Sequence, residues 1–258
     1  MRFQKIWIGV VGAIVVGAVI VAMPACAAEI KIISAESPRT ALEHIAVQFQ
    51  KDTGDKVSFE FMTAGQVRDR VLRGDKVDLA IASGGFIREL EKAGKTSEID
   101  NLGKIGVAMA VHEGAPSPDI STPEKFVAAV KAAKSVSFTD PAAGGTAGQY
   151  FAGLFEKLGI GDEVKKKAVL STGGRNAAEK VASGAAEMGF TFPSEIAPIK
   201  GAKIAGMLPV ELQNYVVYIA AIPMGGNADA ARKFVAAAVA PSSRQHWIAA
   251  GFEPPAAK

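Results

Sequence analysis

From Ile30 onward, short apolar runs alternate with stretches whose apolar residues recur every three to four positions, the signature of strands alternating with helices. Residues 30–34 are expected as a strand and 38–53 as a helix, with Leu42, Ile45, Ala46 and Phe49 on one face and Gly54 as its stop. The pattern continues with strand 57–62, helix 65–73, strand 77–82 and helix 86–93. This β-α-β order predicts a mostly parallel sheet with right-handed crossovers. Residues 105–111 are apolar and lead into the turn-rich Glu113-Gly-Ala-Pro-Ser-Pro, where the chain is expected to pass into a second unit. Helices 122–134, 146–158 and 175–183 then alternate with strands 135–138, 167–170 and 187–192. The β-type segment 214–222 carries the chain back, and helices 229–239 and 242–250 close it. The expected organisation is α/β with two lobes, 28–106 plus 220–258 and 107–219.

The tetrapeptide Thr-Ala-Gly-Gln occurs twice, at residues 63–66 and 146–149, each time after a β-rich stretch and at the start of a helix. Thr at the N-cap with Gln three residues on has the spacing of a capping box. The small Ala and Gly leave backbone N–H groups accessible, and a helix start of this kind suits a carboxylate or oxyanion. Three other strand-to-helix turns are small and polar, namely 34–38, Ser83-Gly-Gly and Thr172-Gly-Gly-Arg175. Ligands of open α/β sheets bind beyond the strand carboxyl ends, so facing lobes would direct several of these turns into one cleft.

Composition narrows the chemistry. The N-terminus, Met-Arg-Phe-Gln-Lys followed by an apolar run over 6–23 and by Ala25, Cys26, Ala27 and Ala28, reads as an export signal of residues 1–27. Cleavage after Ala27 is expected, with lipid attachment at Cys26 or an uncleaved anchor as alternatives. Cys26 is the only cysteine, so a processed chain has no thiol for catalysis, metal or disulfide. Loss of Arg2 and Lys5 lowers the net charge from +3 to +1, which gives no support to nucleic-acid binding.

The order and spacing of several segments resemble the periplasmic solute-binding proteins of ABC importers, most closely the molybdate-binding family, over essentially all of residues 29–254. These segments are Ile33-Ser-Ala-Glu-Ser-Pro, Phe61-Met-Thr-Ala-Gly, Val77-Asp-Leu-Ala-Ile-Ala-Ser, Asp140-Pro with Thr146-Ala-Gly, Gly174-Arg175 and Gly189-Phe-Thr-Phe192. The resemblance implies a two-lobed type II periplasmic binding fold, each lobe a mostly parallel sheet flanked by helices, with the ligand cleft between the lobes. It also implies a periplasmic, monomeric, non-enzymatic protein without cofactor or metal that hands a small anion to an inner-membrane ABC permease. A ligand-sensing receptor for a membrane signalling protein is the alternative.

In that family two serines, two backbone amides and a tyrosine hold the oxyanion. By resemblance Ser37 matches the first serine, and Ala147 and Gly174 match the amides. Ala64, with Thr63 beside it, stands at the second serine, and Phe192 at the tyrosine. Two hydroxyl donors are therefore replaced, and each unpaired oxygen would cost roughly 1–3 kcal/mol. Arg39 and Arg175, in first turns of helices, offer guanidinium forks that match carboxylates, and Phe192 offers an apolar wall. A molybdate-like oxyanion and a small organic carboxylate are thus both expected ligand classes, with Ser37, Arg39, Thr63, Ala64, Thr146, Ala147, Gly174, Arg175 and Phe192 as the candidate site.

Other constellations do not assemble. His44, His112 and His246 lack metal-ligand spacing, no nucleophile elbow occurs, and the glycine-rich 144–148 lacks both Rossmann spacing and a phosphate-loop lysine. Asp78 and Asp140 are expected to order turns, and the lysines at 165–167 to form a solvated face.

Overall fold

A computed structural model describes residues 28–255. The expected leader, with Cys26, lies outside the described residues. The first part of the chain forms β1 (Glu29–Ala35), α1 (Arg39–Thr53), β2 (Lys56–Met62), α2 (Ala64–Arg73), β3 (Leu79–Ser83), α3 (Gly84–Lys92) and β4 (Thr96–Ile105). It then forms β5 (Ala108–His112), α4 (Pro123–Ala132), β6 (Val136–Phe138), α5 (Thr146–Lys157), α6 (Gly161–Lys167), α7 (Gly174–Ala182), β7 (Met188–Thr191), α8 (Pro193–Ile196) and β8 (Ala202–Met207). The chain returns as β9 (Val216–Pro223) and ends in α9 (Ala228–Val239) and α10 (Arg244–Ala249).

The strands make two sheets, ordered β2-β1-β3-β9-β4 and β6-β7-β5-β8. Both are mixed, which corrects the mostly parallel expectation. In each sheet one strand opposes the others, and it is the strand by which the chain enters that lobe. β9 is antiparallel to both β3 and β4, and β5 to both β7 and β8. An incoming strand inserted between two neighbours turns both of its pairings antiparallel even though the remaining strands share a direction. β9 pairs along its length with the first sheet, so the expected lobe boundary between 219 and 220 divides a strand, and the return crossing precedes Val216.

Two strands escaped sequence reading. β4 and β8 lie at sheet edges and are largely exposed or half-buried, so they lack the apolar alternation that marks a strand with one covered face. The strand expected at 167–170 is instead the end of α6 followed by single bridges from Ala168 to Val136 and from Ser171 to Thr139. Lys167 is not on a solvated face. Its ammonium donates to the carbonyls of Val130, Lys131 and Ala133 at 2.8–2.9 Å and so caps the C-terminal end of α4.

Periodicity explains the packing of the remaining elements. α1 buries Ala41, Leu42, Ile45, Ala46 and Phe49 and stops at Gly54, whose φ of 76° is the left-handed cap that glycine adopts without a Cβ penalty. In the second lobe Phe126, Phe138, Phe151, Phe155 and Phe190 form a ring cluster with centroid separations of 5.2–6.4 Å, beneath α4 and α5. Trp247 is buried on α10 and donates its indole N–H to the Ala238 carbonyl at 2.8 Å, anchoring the last helix on the first lobe. The Gln213 side chain ties the two crossings together. Its Oε1 accepts from the Val107 N–H at 2.7 Å, and its Nε2 donates to the carbonyls of Val107 and Leu208. Among the described residues no helix is long and apolar enough to cross a membrane.

Candidate functional site

The strand-to-helix turns of the two lobes meet. Thr63, the N-cap of α2, makes a complete capping box: its Oγ1 accepts from the Gln66 N–H, and the Gln66 side chain accepts from the Thr63 N–H. The hydroxyl then donates across the interface to the Ala143 carbonyl at 2.7 Å. The next amide but one, Gly65 N–H, donates to the Gly144 carbonyl at 3.0 Å, so this helix start is spent on the opposite lobe rather than left free. The second Thr-Ala-Gly-Gln departs from the expected capping box. Gly145 takes the N-cap position of α5, Thr146 is the first helical residue, and its hydroxyl pairs with Ser83 of the first lobe at 2.9 Å. A hydrogen bond between the Ser37 and Ser194 hydroxyls at 2.9 Å and an ion pair between Glu36 and Arg175 at 3.9 Å add to the closure.

These contacts enclose a cavity with about 30 Å³ of space for water centres, where a single water needs roughly 10–15 Å³. Thr63, Ala64, Thr146, Ala147, Gly174 and Phe192 line it. Ala147 and Gly174 lie in the first turns of α5 and α7, where N–H groups have no intrahelical acceptor, and neither N–H donates a backbone hydrogen bond elsewhere among the described residues. Both helices therefore present donors and a positive dipole end to the same space. Four of the five small polar turns border the cavity. The fifth, Ser83-Gly84-Gly85, lines a neighbouring cleft that shares Thr146.

Three candidates stand elsewhere. Arg39 is held outside the cavity by Glu36 and Glu43, at 3.2 and 3.1 Å, and lies 4.5 Å from the centre of the Phe61 ring. Arg175 is turned to Glu36, and Ser37 is buried behind the cavity wall. No arginine or lysine is among the residues bordering the cavity.

Sequence reading missed Glu195 and Tyr218. Glu195 follows β7 through the turn Phe192-Pro-Ser and is only 5 % exposed. It accepts a short hydrogen bond from the Thr191 hydroxyl and packs so closely on Gly174 that a Cβ there would overlap both groups. Burial raises the Glu195 carboxyl to about 7. The Glu36 charge pushes the same way, while the Thr191 hydrogen bond and the Arg175 charge oppose them. The unfolded chain ionises this group near the ordinary carboxyl value, so its contribution to stability is full below that range and is lost as pH rises toward about 7.

Tyr218 enters from β9, 6.0 Å from the Phe192 ring centroid, and supplies a phenol beside the position where the resemblance implied one. Burial first, and then the Glu195 charge, push this phenol well above its ordinary range, with Ser37 opposing, so it stays neutral. The available signal for Tyr218 was its place in the apolar β-type segment 214–222. For Glu195 the signal was only an acid three residues into a strand-to-helix turn.

Thr63 carries a prediction of its own. Thr63→Ala is expected to cost roughly 0.5–2 kcal/mol in urea denaturation through the lost cap. It should also weaken ligand binding by a further few-fold, up to about tenfold, through the lost bond to Ala143. Thr63→Ser should restore both, since it keeps the oxygen and its proton.

A model for a family described as bacterial extracellular solute-binding protein matches residues 30–253. The chain is 29% identical over 189 residues to an aconitate isomerase from Pseudomonas sp, covering 70% of each. It is also 29% identical over 201 residues to the molybdate-binding protein ModA of Azotobacter vinelandii, covering 75% of each. The solved periplasmic molybdate-binding protein of Azotobacter vinelandii superposes with a TM-score of 0.72 at 21% identity, over 88% of this chain and 99% of that one. That superposition supports the two-lobed type II fold. With that family model spanning residues 30–253, the chain belongs to the bacterial extracellular solute-binding protein family.

Proposed function

We propose that the protein captures a small anion in the inter-lobe cavity and delivers it to the permease of an ABC importer, acting as an exported, periplasmic monomer without catalytic turnover. The observation that carries this reading is the pair of unpaired first-turn amides, Ala147 and Gly174, facing a cavity closed by hydrogen bonds from both lobes. The molybdate-binding relative supports an anionic ligand. The lining favours a small organic carboxylate over a tetrahedral dianion. Phe192 and Met62 give it apolar wall, and the Glu195 carboxyl disfavours added negative charge unless it is protonated. Arg39 and Arg175 do not contribute to that preference, since both face Glu36.

The test is thermal unfolding of residues 28–258 with molybdate, tungstate, sulfate, phosphate and a series of mono-, di- and tricarboxylates. Ligand at about a hundred times its dissociation constant should stabilise by roughly 2.7 kcal/mol. A shift with carboxylates above all others is expected. A shift confined to molybdate and tungstate would reassign the ligand, and no shift with any anion would contradict the reading.

A second reading rests on Glu195 itself. An ionised buried carboxyl beside an unsaturated organic acid can take a proton from the carbon next to the double bond and return it at the far end of the allylic system, moving the double bond, and one relative is named an aconitate isomerase. Incubation with either aconitate isomer, followed by proton NMR, separates the two readings. Turnover that disappears in Glu195→Gln would make the protein an isomerase, and its absence would leave it a carrier.

A further inference from the structure

Glu195 has an unusual setting for a site that admits anions. The residues bordering the cavity include two carboxyls, Glu36 and Glu195, and no cation. From β7 comes the neutral Thr191 hydroxyl, which donates to Glu195, and from α7 come Gly174 in contact and Arg175 beyond it. The β1–α1 turn supplies Glu36, itself held by Arg39 and Arg175. The Tyr218 phenol on β9 completes the surround. Arg175 is thus shared with Glu36, and no guanidinium or ammonium is dedicated to Glu195. An ionised Glu195, itself buried, and an incoming anion would face each other across one small space between the lobes, where like charges repel more strongly than in bulk water.

The geometry offers a way out. The Thr191 hydroxyl and the Phe192 backbone N–H both serve the Glu195 carboxyl as donors, and a protonated carboxyl still has its own O–H to give. We propose that Glu195 is a specificity-determining residue that enters the ligand complex as a neutral carboxyl, its O–H donated to an oxygen of the bound anion, so that an anion captured while Glu195 is ionised brings one proton into the cavity. The carboxyl then stands in for one of the hydroxyl donors replaced at Ala64 and Phe192. It favours ligands whose oxygens accept a carboxyl proton, such as carboxylates. Burial already holds this group protonated to about pH 7, so binding near or below that value takes up little extra proton and binding above it takes up a full one.

This inference rests on the anion-binding reading above, and calorimetry distinguishes the failure of each. Fumarate, sulfate and molybdate serve as probes because their own charge is constant between about pH 6 and 9. Titration of residues 28–258 in two buffers of different ionisation heat is expected to show net uptake approaching one proton at about pH 8–9 and far less at about pH 6. Affinity should fall about tenfold per pH unit at the alkaline end. Glu195→Gln keeps a donor but has no proton to lose, so its affinity should be level across the range with no proton uptake. Wild-type binding that is flat with pH, or a pH dependence that persists in Glu195→Gln, would overturn the role of Glu195 while leaving anion binding intact. Failure of these probes, and of every anion in the thermal series above, to bind at any pH would remove the anion-binding reading and this inference with it. The wild-type proton count stands whether or not the variant folds.

Discussion

Replacing Gly174 with alanine is expected to lower the melting temperature by about 2–12 °C and to weaken anion binding at least about tenfold. Gly174 opens α7 and has no left-handed φ, so its backbone would accept any residue. It is glycine for space. A Cβ would overlap the Glu195 carboxyl and the Thr191 hydroxyl, both buried, and one of them must leave its bed. Overpacking of this kind costs roughly 1–3 kcal/mol, and each kcal/mol moves the midpoint by about 2–4 °C for a chain of this size. The binding loss follows because the displaced carboxyl and the first-turn amide of α7 border the same cavity. A double-mutant cycle assigns the cause. Alanine at 174 should be better tolerated in a Glu195→Ala background, and an equal penalty in both backgrounds would place the limiting overlap on the Thr191 hydroxyl.

Gly65→Ala should separate closure from folding. Position 65 is inside the first turn of α2, where alanine is a better helix former than glycine by up to about 1 kcal/mol. The stability of the ligand-free protein should therefore hold or rise. In the closed arrangement, however, a Cβ would stand 3.0 Å from the Gly144 Cα and 3.1 Å from its carbonyl oxygen. Gly144 cannot yield easily, since its φ of 73° and its own approach to the Gly65 Cα fix that turn. A cost of roughly 1–3 kcal/mol charged to the closed state alone weakens the ligand about 5- to 150-fold. Thermal unfolding and titration calorimetry on the same preparation check this. Equal losses of stability and affinity would show that the glycine serves folding instead.

Both glycines belong to turns that the sequence singled out, and this marks what a reading of residues can reach. Period and punctuation located most elements and the helix starts that border the cavity, because Thr, Gly and small residues at a strand end have local causes. The repeated Thr-Ala-Gly-Gln was legible as two helix starts but not as two different ones. Gly145 precedes the second copy and takes its cap, and Ser83 from the other lobe claims the Thr146 hydroxyl. Glu195 and Tyr218 were legible only as members of a turn and a strand, not as residues of the cavity. Their importance comes from burial against Gly174 and Phe192, contacts between residues well apart in sequence. Arg39 and Arg175 stand apart from the cavity lining for the converse reason. A charge in a first turn suggests a ligand, yet Glu36 and Glu43 neutralise one and Glu36 the other. His44 and His246, far apart in sequence, stand 5.6 Å from each other because α1 packs on α10.

The central claim is that a small anion sits between the lobes on the first turns of α5 and α7, beside Glu195. A crystal structure of residues 28–258 with the anion that stabilises it most tests this directly. The account predicts the ligand's oxygens within about 3 Å of the Ala147 and Gly174 amides and of the Glu195 carboxyl, with the bond from Thr63 to Ala143 intact. A ligand bound outside this cavity, or held there by Arg39 or Arg175 with Glu195 turned away, would contradict it.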